Sequence, residues 1–346
     1  MKAFKILHIT DLHLRHNGRL FYSTGKKINN GLILNGHNVL NISDRDLTSG
    51  RKNLFDIGSK KFLLDQIIKN IENFKPDIIL LGHVDRLDYE SFLLIKEKYN
   101  SIKFGQWFLD PLVKMGPDFE KNKNRFFLKY QFCDANFITT SVDALNFVNN
   151  DKTFFIPNPI DRSIDKYQNF RSSKPLDMFI AISHGQHRGI LKRDFVDDRV
   201  KLINQLTKKI SCNVFGNKNN PVWGQKFFDE LSKCSMAINL SRGDPIKYYS
   251  SDRISSLLGN GLLTFINEKY YYQDFFSKNE IVIYKDIKDL NKKLLYFKKR
   301  PKLIKKIASN GHKKAHRIFN NKLVSDYIVK KIMNIKVNYK FDWING

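Results

Sequence analysis

Two α/β lobes, each built on a parallel sheet, are predicted for this chain by three observations. Short apolar runs alternate with amphipathic stretches. The alternation happens twice. A polar stretch separates the two rounds. The length agrees, because 346 residues exceed the size at which one hydrophobic core usually stops growing.

In the first round, Phe4–Ile9 predicts a buried strand, Lys26–Leu34 a helix ended at Gly36-His37, and Val39–Ile42 the next strand. Phe62–Phe74 has helical spacing and stops at Pro76-Asp77, and Ile78–Leu81 is a four-residue apolar strand. Helix is predicted over Ser91–Lys98, Arg125–Phe132 and Val142–Val148, and strand over Ile102–Trp107, Ala135–Thr139 and Phe154–Ile156. Pro157-Asn158-Pro159 closes the round, and Asp161–Lys174 reads as a polar linker.

In the second round, strands are predicted at Met178–Ile182, Cys212–Phe215, Met236–Leu240, Leu262–Ile266 and Glu280–Tyr284. Helices are predicted at Asp198–Thr207, Trp223–Leu231, Arg253–Leu258, Ile287–Phe297, Leu303–Phe319 and Lys322–Ile335. The predicted domains are 1–160, a linker 161–174, 175–320, and a C-terminal helix and tail 321–346 that packs back on the first lobe.

Composition narrows the function classes. Hydrophobic residues make up 42 % and include 28 Phe and 14 Tyr, far from a disordered composition. No apolar run approaches the ~20 residues that span a bilayer, and no signal-peptide pattern opens the chain, so a cytoplasmic protein is expected. Cys133, Cys212 and Cys234 are irregularly spaced and read as reduced thiols. The net charge is +26 and uneven: 23 Lys+Arg face 17 Asp+Glu in residues 1–160, and 37 face 17 in residues 161–346. That excess favours phosphorylated ligands, polyanions or anionic membranes. Lys292, Lys293, Lys298, Lys299, Arg300, Lys302, Lys305 and Lys306 cluster without an acid. A solvated helix face is the ordinary reading of that cluster. Peripheral docking on the anionic inner face of a membrane is the functional one. No nucleic-acid-binding motif is present, and no nucleic-acid partner is expected.

His8-Ile9-Thr10-Asp11-Leu12-His13 resembles the opening of a calcineurin-like metallophosphoesterase, in which Asp and His bind the first metal. The likeness breaks at Gly82-His83-Val84-Asp85, where a bridging carboxylate is expected and His83 stands instead. The later ligand blocks are also missing.

Ligands of open parallel sheets bind beyond the carboxyl ends of the strands. There the second half carries anion-binding chemistry. Ser183-His184-Gly185-Gln186-His187-Arg188-Gly189, with Arg193 after it, is a glycine-bearing basic loop. Asn239-Leu240-Ser241-Arg242-Gly243-Asp244 follows a buried strand, and Lys247 lies just beyond it. Then comes Ser250-Ser251-Asp252-Arg253-Ile254-Ser255-Ser256, a helix start at which Ser251 or Asp252 is the expected cap. Gly259 and Gly261 are the expected stop.

The order Ser-Asp-Arg-Ile-x-x-Leu-x-x-x-Gly-x-Leu-Thr in that segment resembles the C-terminal lobe of GT-B glycosyltransferases, most closely the CgeB-like, glycosyl transferases group 1 family. Gly31-Leu32, Gly36-His37-Asn38-Val39, Phe155-Ile156-Pro157-Asn158-Pro159, Phe215-Gly216-Asn217, Trp223-Gly224 and Gly311-His312 fall in family order. The resemblance implies two Rossmann-like lobes facing a central cleft. It also implies a nucleotide-sugar donor on the C-terminal lobe, a glycan or lipid-linked acceptor on the N-terminal lobe, and a role in cell-envelope or surface polysaccharide synthesis. No cofactor or metal is expected.

Arg188, Arg193, Arg242, Lys247, Ser251, Asp252 and Arg253 are the expected diphosphate ligands, and Gly216, Asn217, Ser255 and Ser256 the nucleotide ligands. One departure stands out: Ser256 occupies the position where the family carries a ribose-binding Glu. That departure leaves a catalytically degenerate binding protein as an alternative. On the acceptor side, His83 is the first candidate, with Asp85 to orient it. Asp11 and His13 are the competitors.

Overall fold

The structure is a computed structural model that describes residues 2–49, 57–114, 118–171, 173, 177–184, 198–217, 220–241, 243–340 and 343. It divides into two compact units. The first comprises residues 1–112, 118–159 and 320–346, and the second 113–117 and 160–319.

The first unit is a six-stranded, wholly parallel sheet. Its strands are β1 (Lys5–Ile9), β2 (Asn38–Ile42), β3 (Ile78–Leu81), β4 (Lys103–Phe108), β5 (Ala135–Ile138) and β6 (Thr153–Phe155), in the order β2-β1-β3-β4-β5-β6. All four residues of β3 are buried, as expected of a central strand covered on both faces. Helices α1 (Thr24–Leu34), α2 (Asp44–Thr48), α3 (Ile57–Phe74), α4 (Tyr89–Lys98) and α5 (Phe119–Tyr130) make the connections. Ser23 caps α1 and Asp88 caps α4 through their side-chain oxygens.

The second unit is a five-stranded parallel sheet. Its strands are β7 (Met178–His184), β8 (Cys212–Asn217), β9 (Met236–Ile238), β10 (Leu263–Asn267) and β11 (Val282–Tyr284), in the order β11-β10-β9-β7-β8. Its helices are α6 (Asp198–Thr207), α7 (Gln225–Ser232), α8 (Arg253–Gly259), α9 (Ile287–Lys298) and α10 (Pro301–Ile318). The chain then returns to the first unit as α11 (Asn321–Ile332), which packs on α1. Gly31 makes this contact possible, because a Cβ there would lie 2.2 Å from the Asn321 carbonyl oxygen. Ser325 Oγ also donates to the Ile28 carbonyl at 2.9 Å.

Two expectations are corrected. Residues 161–171 are not a solvated linker. Asp161 and Asp165 are buried, Asp165 Oδ2 accepts the Asp161 N–H, and Asn169 Nδ2 donates to the Leu231 and Cys234 carbonyls. The polar side chains that suggested a linker are hydrogen-bonded inside the second unit. The helix predicted over Val142–Val148 is only a 3-10 turn at Val142–Ala144. The Ser141 hydroxyl bonds the Asp143 carboxylate, and Leu145 is already extended.

Each sheet reverses its winding once. In the first the chain lays β2 on one side of β1 and β3 on the other. In the second it lays β8 on one side of β7 and β9 on the other. Such switch points leave a crevice beyond the carboxyl ends of the diverging strands. The residues beyond β1 and β3 are Asp11, His13, His83 and Asp85, and those beyond β9 are Asn239 to Ser241.

Candidate functional site

At the switch point of the first unit, Gly82 turns the chain tightly against Thr10. A Cβ at Gly82 would lie 2.3 Å from Thr10 Oγ1 and 2.7 Å from the Trp107 ring. The turn delivers His83 against Trp107 and Phe108, with ring centroids at 6.0 and 4.8 Å. The His83 side chain is 16 % exposed, its Nδ1 has no hydrogen-bond partner, and the closest carboxylate oxygen, Asp110 Oδ2, is 3.8 Å away. Burial pushes the imidazole down to about 4, against a partly opposing pull from Asp110. His83 is therefore neutral at pH 7.

Asp85 does not orient His83. It accepts from Arg45 Nε at 3.0 Å and Nη2 at 2.7 Å, and from Arg125 at 2.6 Å, so the two guanidinium groups use its lone pairs. Asp11 is similarly engaged: Arg15 binds both its oxygens, at 2.7 and 2.8 Å, and Arg45 lies at 3.4 Å. His13, held at φ +62°, places Nδ1 3.1 Å from Asp11 and donates its backbone N–H to the same carboxylate. Burial would raise the Asp11 carboxyl, but the bonds from His13 and Arg15 prevail and hold it well below the usual range. A carboxylate clamped by two arginines is a poor first ligand for a metal pair. Among the described residues no three His, Cys, Asp or Glu side chains converge as a metal-binding group. Asp44, beside this network, is fully buried with neither oxygen hydrogen-bonded. Burial, reinforced by the charge of Asp85, raises its carboxyl to about 7.

At the switch point of the second unit, the segment after β9 is stitched to the start of α8. Asn239 Nδ2 donates to Ser250 Oγ at 2.9 Å, and the Ser251 N–H donates to Ser241 Oγ at 3.2 Å. Arg253 Nη1 donates to the Leu240 carbonyl at 3.2 Å and to Ser251 Oγ at 3.0 Å. The expected cap is therefore corrected. Asp252 is exposed and caps nothing, and the Ser251 N–H is already used. The expected stop is present. Gly261 at φ +76° donates to the Leu258 carbonyl, and the Leu262 N–H donates to the Leu257 carbonyl, closing a Schellman motif.

Ser255 and Ser256 are buried in α8, and Ser255 Oγ donates to the Asp252 carbonyl. Lys247 lies with Nζ 4.9 Å from the centre of the Tyr248 ring. Gly216, at φ +75°, has a structural reason of its own. A Cβ there would lie 1.8 Å from the Ile182 carbonyl oxygen, where the β7–β8 register shifts. Asn217 ends β8. Arg188, Arg193 and Arg242 lie outside the described residues, as does the Asn217 side chain.

Beyond β9, β10 and β11 the second unit has a cavity of about 170 Å³, whose lining includes Asn239, Ser241, Asn267, Tyr270, Tyr284 and Asp286. Asn239 is fully buried and its Oδ1 has no partner, an acceptor that a ligand N–H or hydroxyl would satisfy. Four of these residues, Asn267, Tyr270, Tyr284 and Asp286, are not singled out by the sequence. Their signal is position alone, since each ends β10 or β11 or follows it within three residues.

Residues 195–329 match the family model described as "Glycosyl transferase-like". Over that stretch the chain is similar to glycosyl transferases, and its fold is GT-B. Similar solved structures include a glycosyltransferase from Rickettsia africae, at 15 % identity and TM-score 0.58, covering 98 % of this chain and 100 % of that one. HepE from Anabaena, solved with UDP and glucose, is 10 % identical at TM-score 0.57, covering 96 % and 100 %. UDP-GlcNAc 2-epimerase from Neisseria meningitidis, solved with UDP-GlcNAc, is 13 % identical at TM-score 0.50, covering 95 % and 100 %. No curated protein matches the sequence. At these identities the structural likeness speaks for the fold, and the family match lies mainly within the second unit.

Proposed function

We propose that the protein is a glycosyltransferase that moves a sugar from a nucleotide-sugar donor, held by the second unit, to a glycan or lipid-linked acceptor, held by the first. The carrying observation is that the glycosyl transferase-like match encloses the strand-end cavity around Asn239 and Ser241. The cavity is too small for a whole nucleotide sugar and suits one ring of it. Arg188 and Arg193, which follow β7 in the sequence, and Arg242, which follows β9, are assigned to the leaving diphosphate, with no metal required.

In the transfer, an acceptor hydroxyl oxygen bonds to the anomeric carbon as the bond from that carbon to the diphosphate oxygen breaks. The hydroxyl proton passes to His83, which is neutral and next to the crevice, and the nucleoside diphosphate departs with the electron pair. A role in surface polysaccharide synthesis, and a place on the cytoplasmic side of a membrane, complete the proposal.

The deciding experiment is a thermal-shift screen against UDP, GDP, CMP and divalent metals, followed by sugar-nucleotide turnover with and without acceptor. Stabilisation by a nucleotide and acceptor-dependent release of nucleoside diphosphate are expected. Stabilisation by Mn²⁺ alone would refute the proposal. Nucleotide binding without turnover would leave a binding protein, as the Ser256 departure suggests.

A further inference from the structure

Helices α9 and α10 turn Leu290, Leu294, Phe297, Ile304, Ile307 and Ala308 into the core of the second unit. On the outer surface of α9 and just past its end, Lys288, Lys292, Leu295, Tyr296 and Lys299 recur at helical spacing, so they share one side, and all five are exposed. Leu295 is 51 % and Tyr296 46 % exposed, large values for apolar side chains. The turn into α10 adds Lys298, Arg300 and Lys302, also exposed. Among the described residues no ion pair joins these cations to an acid, whereas neighbouring Lys293 pairs with Asp289 at 2.7 Å. The result is an uncompensated basic ridge around an aliphatic and an aromatic side chain.

We propose that this α9–α10 face docks on an anionic phospholipid surface, with Leu295 and Tyr296 entering the boundary between headgroups and acyl chains. Charge complementarity carries the choice of partner, since each lysine or arginine near such a surface strengthens partition about fivefold. The apolar pair selects a bilayer over a nucleic acid. Arg300 already covers the Tyr296 ring at 3.9 Å, and leucine offers no stacking platform for a base. The proposal is independent of the donor reading, because it uses none of the residues assigned to the donor.

The test is flotation of the intact chain with phosphatidylcholine vesicles, with and without phosphatidylglycerol. The chain floats only with phosphatidylglycerol, and salt releases it. Combining Lys299→Glu, Arg300→Glu and Lys302→Glu lowers binding by at least about a hundredfold. A milder pair, Leu295→Ser with Tyr296→Ser, reduces it by about tenfold and guards against misfolding of the charge variant. Separately, Tyr296→Trp reports insertion by a blue shift of its emission on vesicles. Flotation of the charge variant equal to the parent overturns the proposal. So does an unshifted emission from the Tyr296→Trp variant accompanied by tighter binding to an RNA oligonucleotide. Unchanged nucleotide stabilisation in the variants keeps this outcome separate from that of the donor reading.

Discussion

The strand ends of the two units are held together differently, by ion pairs in the first and by neutral hydrogen bonds in the second. In the first unit, Asp11, Asp46, Asp85 and Asp110 engage Arg15, Arg45 and Arg125 in a closed set of ion pairs. Little cationic charge is left there for an anionic ligand. In the second unit, the segments after β9 and before α8 are joined by serine and asparagine bonds. A self-neutralised strand end suits a hydroxyl-bearing partner such as a glycan. One held by hydroxyl and amide groups suits a ligand rich in hydrogen-bonding oxygens.

Four substitutions can break or sharpen this contrast, from the largest effect to the smallest. His83→Ala should cut transfer by roughly 10²–10⁴-fold while nucleotide stabilisation persists, measured as turnover against thermal shift. Equal loss of nucleotide binding would move His83 out of its acceptor-side role. Arg45→Ala should destabilise the protein by about 2–3 kcal/mol in denaturant unfolding, because it leaves Asp85 and Asp11 each short of a partner. A neutral outcome would show that the ion-pair set is dispensable. Asn239→Ala should weaken nucleotide affinity by about 1–2 kcal/mol by calorimetry, and unchanged affinity would exclude the cavity from the donor site.

The smallest effect concerns pH. Asp44 keeps its proton up to about 7 in the folded state and loses it near 4 when unfolded, so it lowers stability as pH rises across that window. Asp44→Asn should therefore raise stability by about 1–2 kcal/mol above pH 7 and leave it unchanged near pH 4. His83 has the opposite sign. Its folded value of about 4 lies below the ordinary 6.5, so its contribution falls as pH drops from 6.5 to 4. His83→Ala should flatten that acid limb in a melting series.

Much of the fold is legible in the sequence because parallel strands buried on both faces are short apolar runs. Ile78–Leu81 and Met236–Ile238 are plain examples. The polar stretch at 161–171 misleads for a physical reason: side-chain bonds such as those of Asn169 to Leu231 and Cys234 are non-local, and composition does not reveal them. The same limit applies to the sites. Asp11, His83 and Asn239 are found because they follow strands. That Arg45 claims Asp85, or that Ser241 already holds the Ser251 N–H, depends on partners 40 and 10 positions away.

The packing of α11 on α1 across Gly31 has a temporal consequence. The first unit's sheet is complete at Phe155, yet its last covering helix begins at Asn321, after the whole second unit. During synthesis that face of the first unit stays open while the intervening residues emerge, whereas the second unit can close on largely contiguous chain. Ile160 N–H donates to the Phe319 carbonyl at 2.7 Å, so the second unit begins and ends at neighbouring points, as an inserted domain does. The helix that seals the first unit is therefore made only after the second unit.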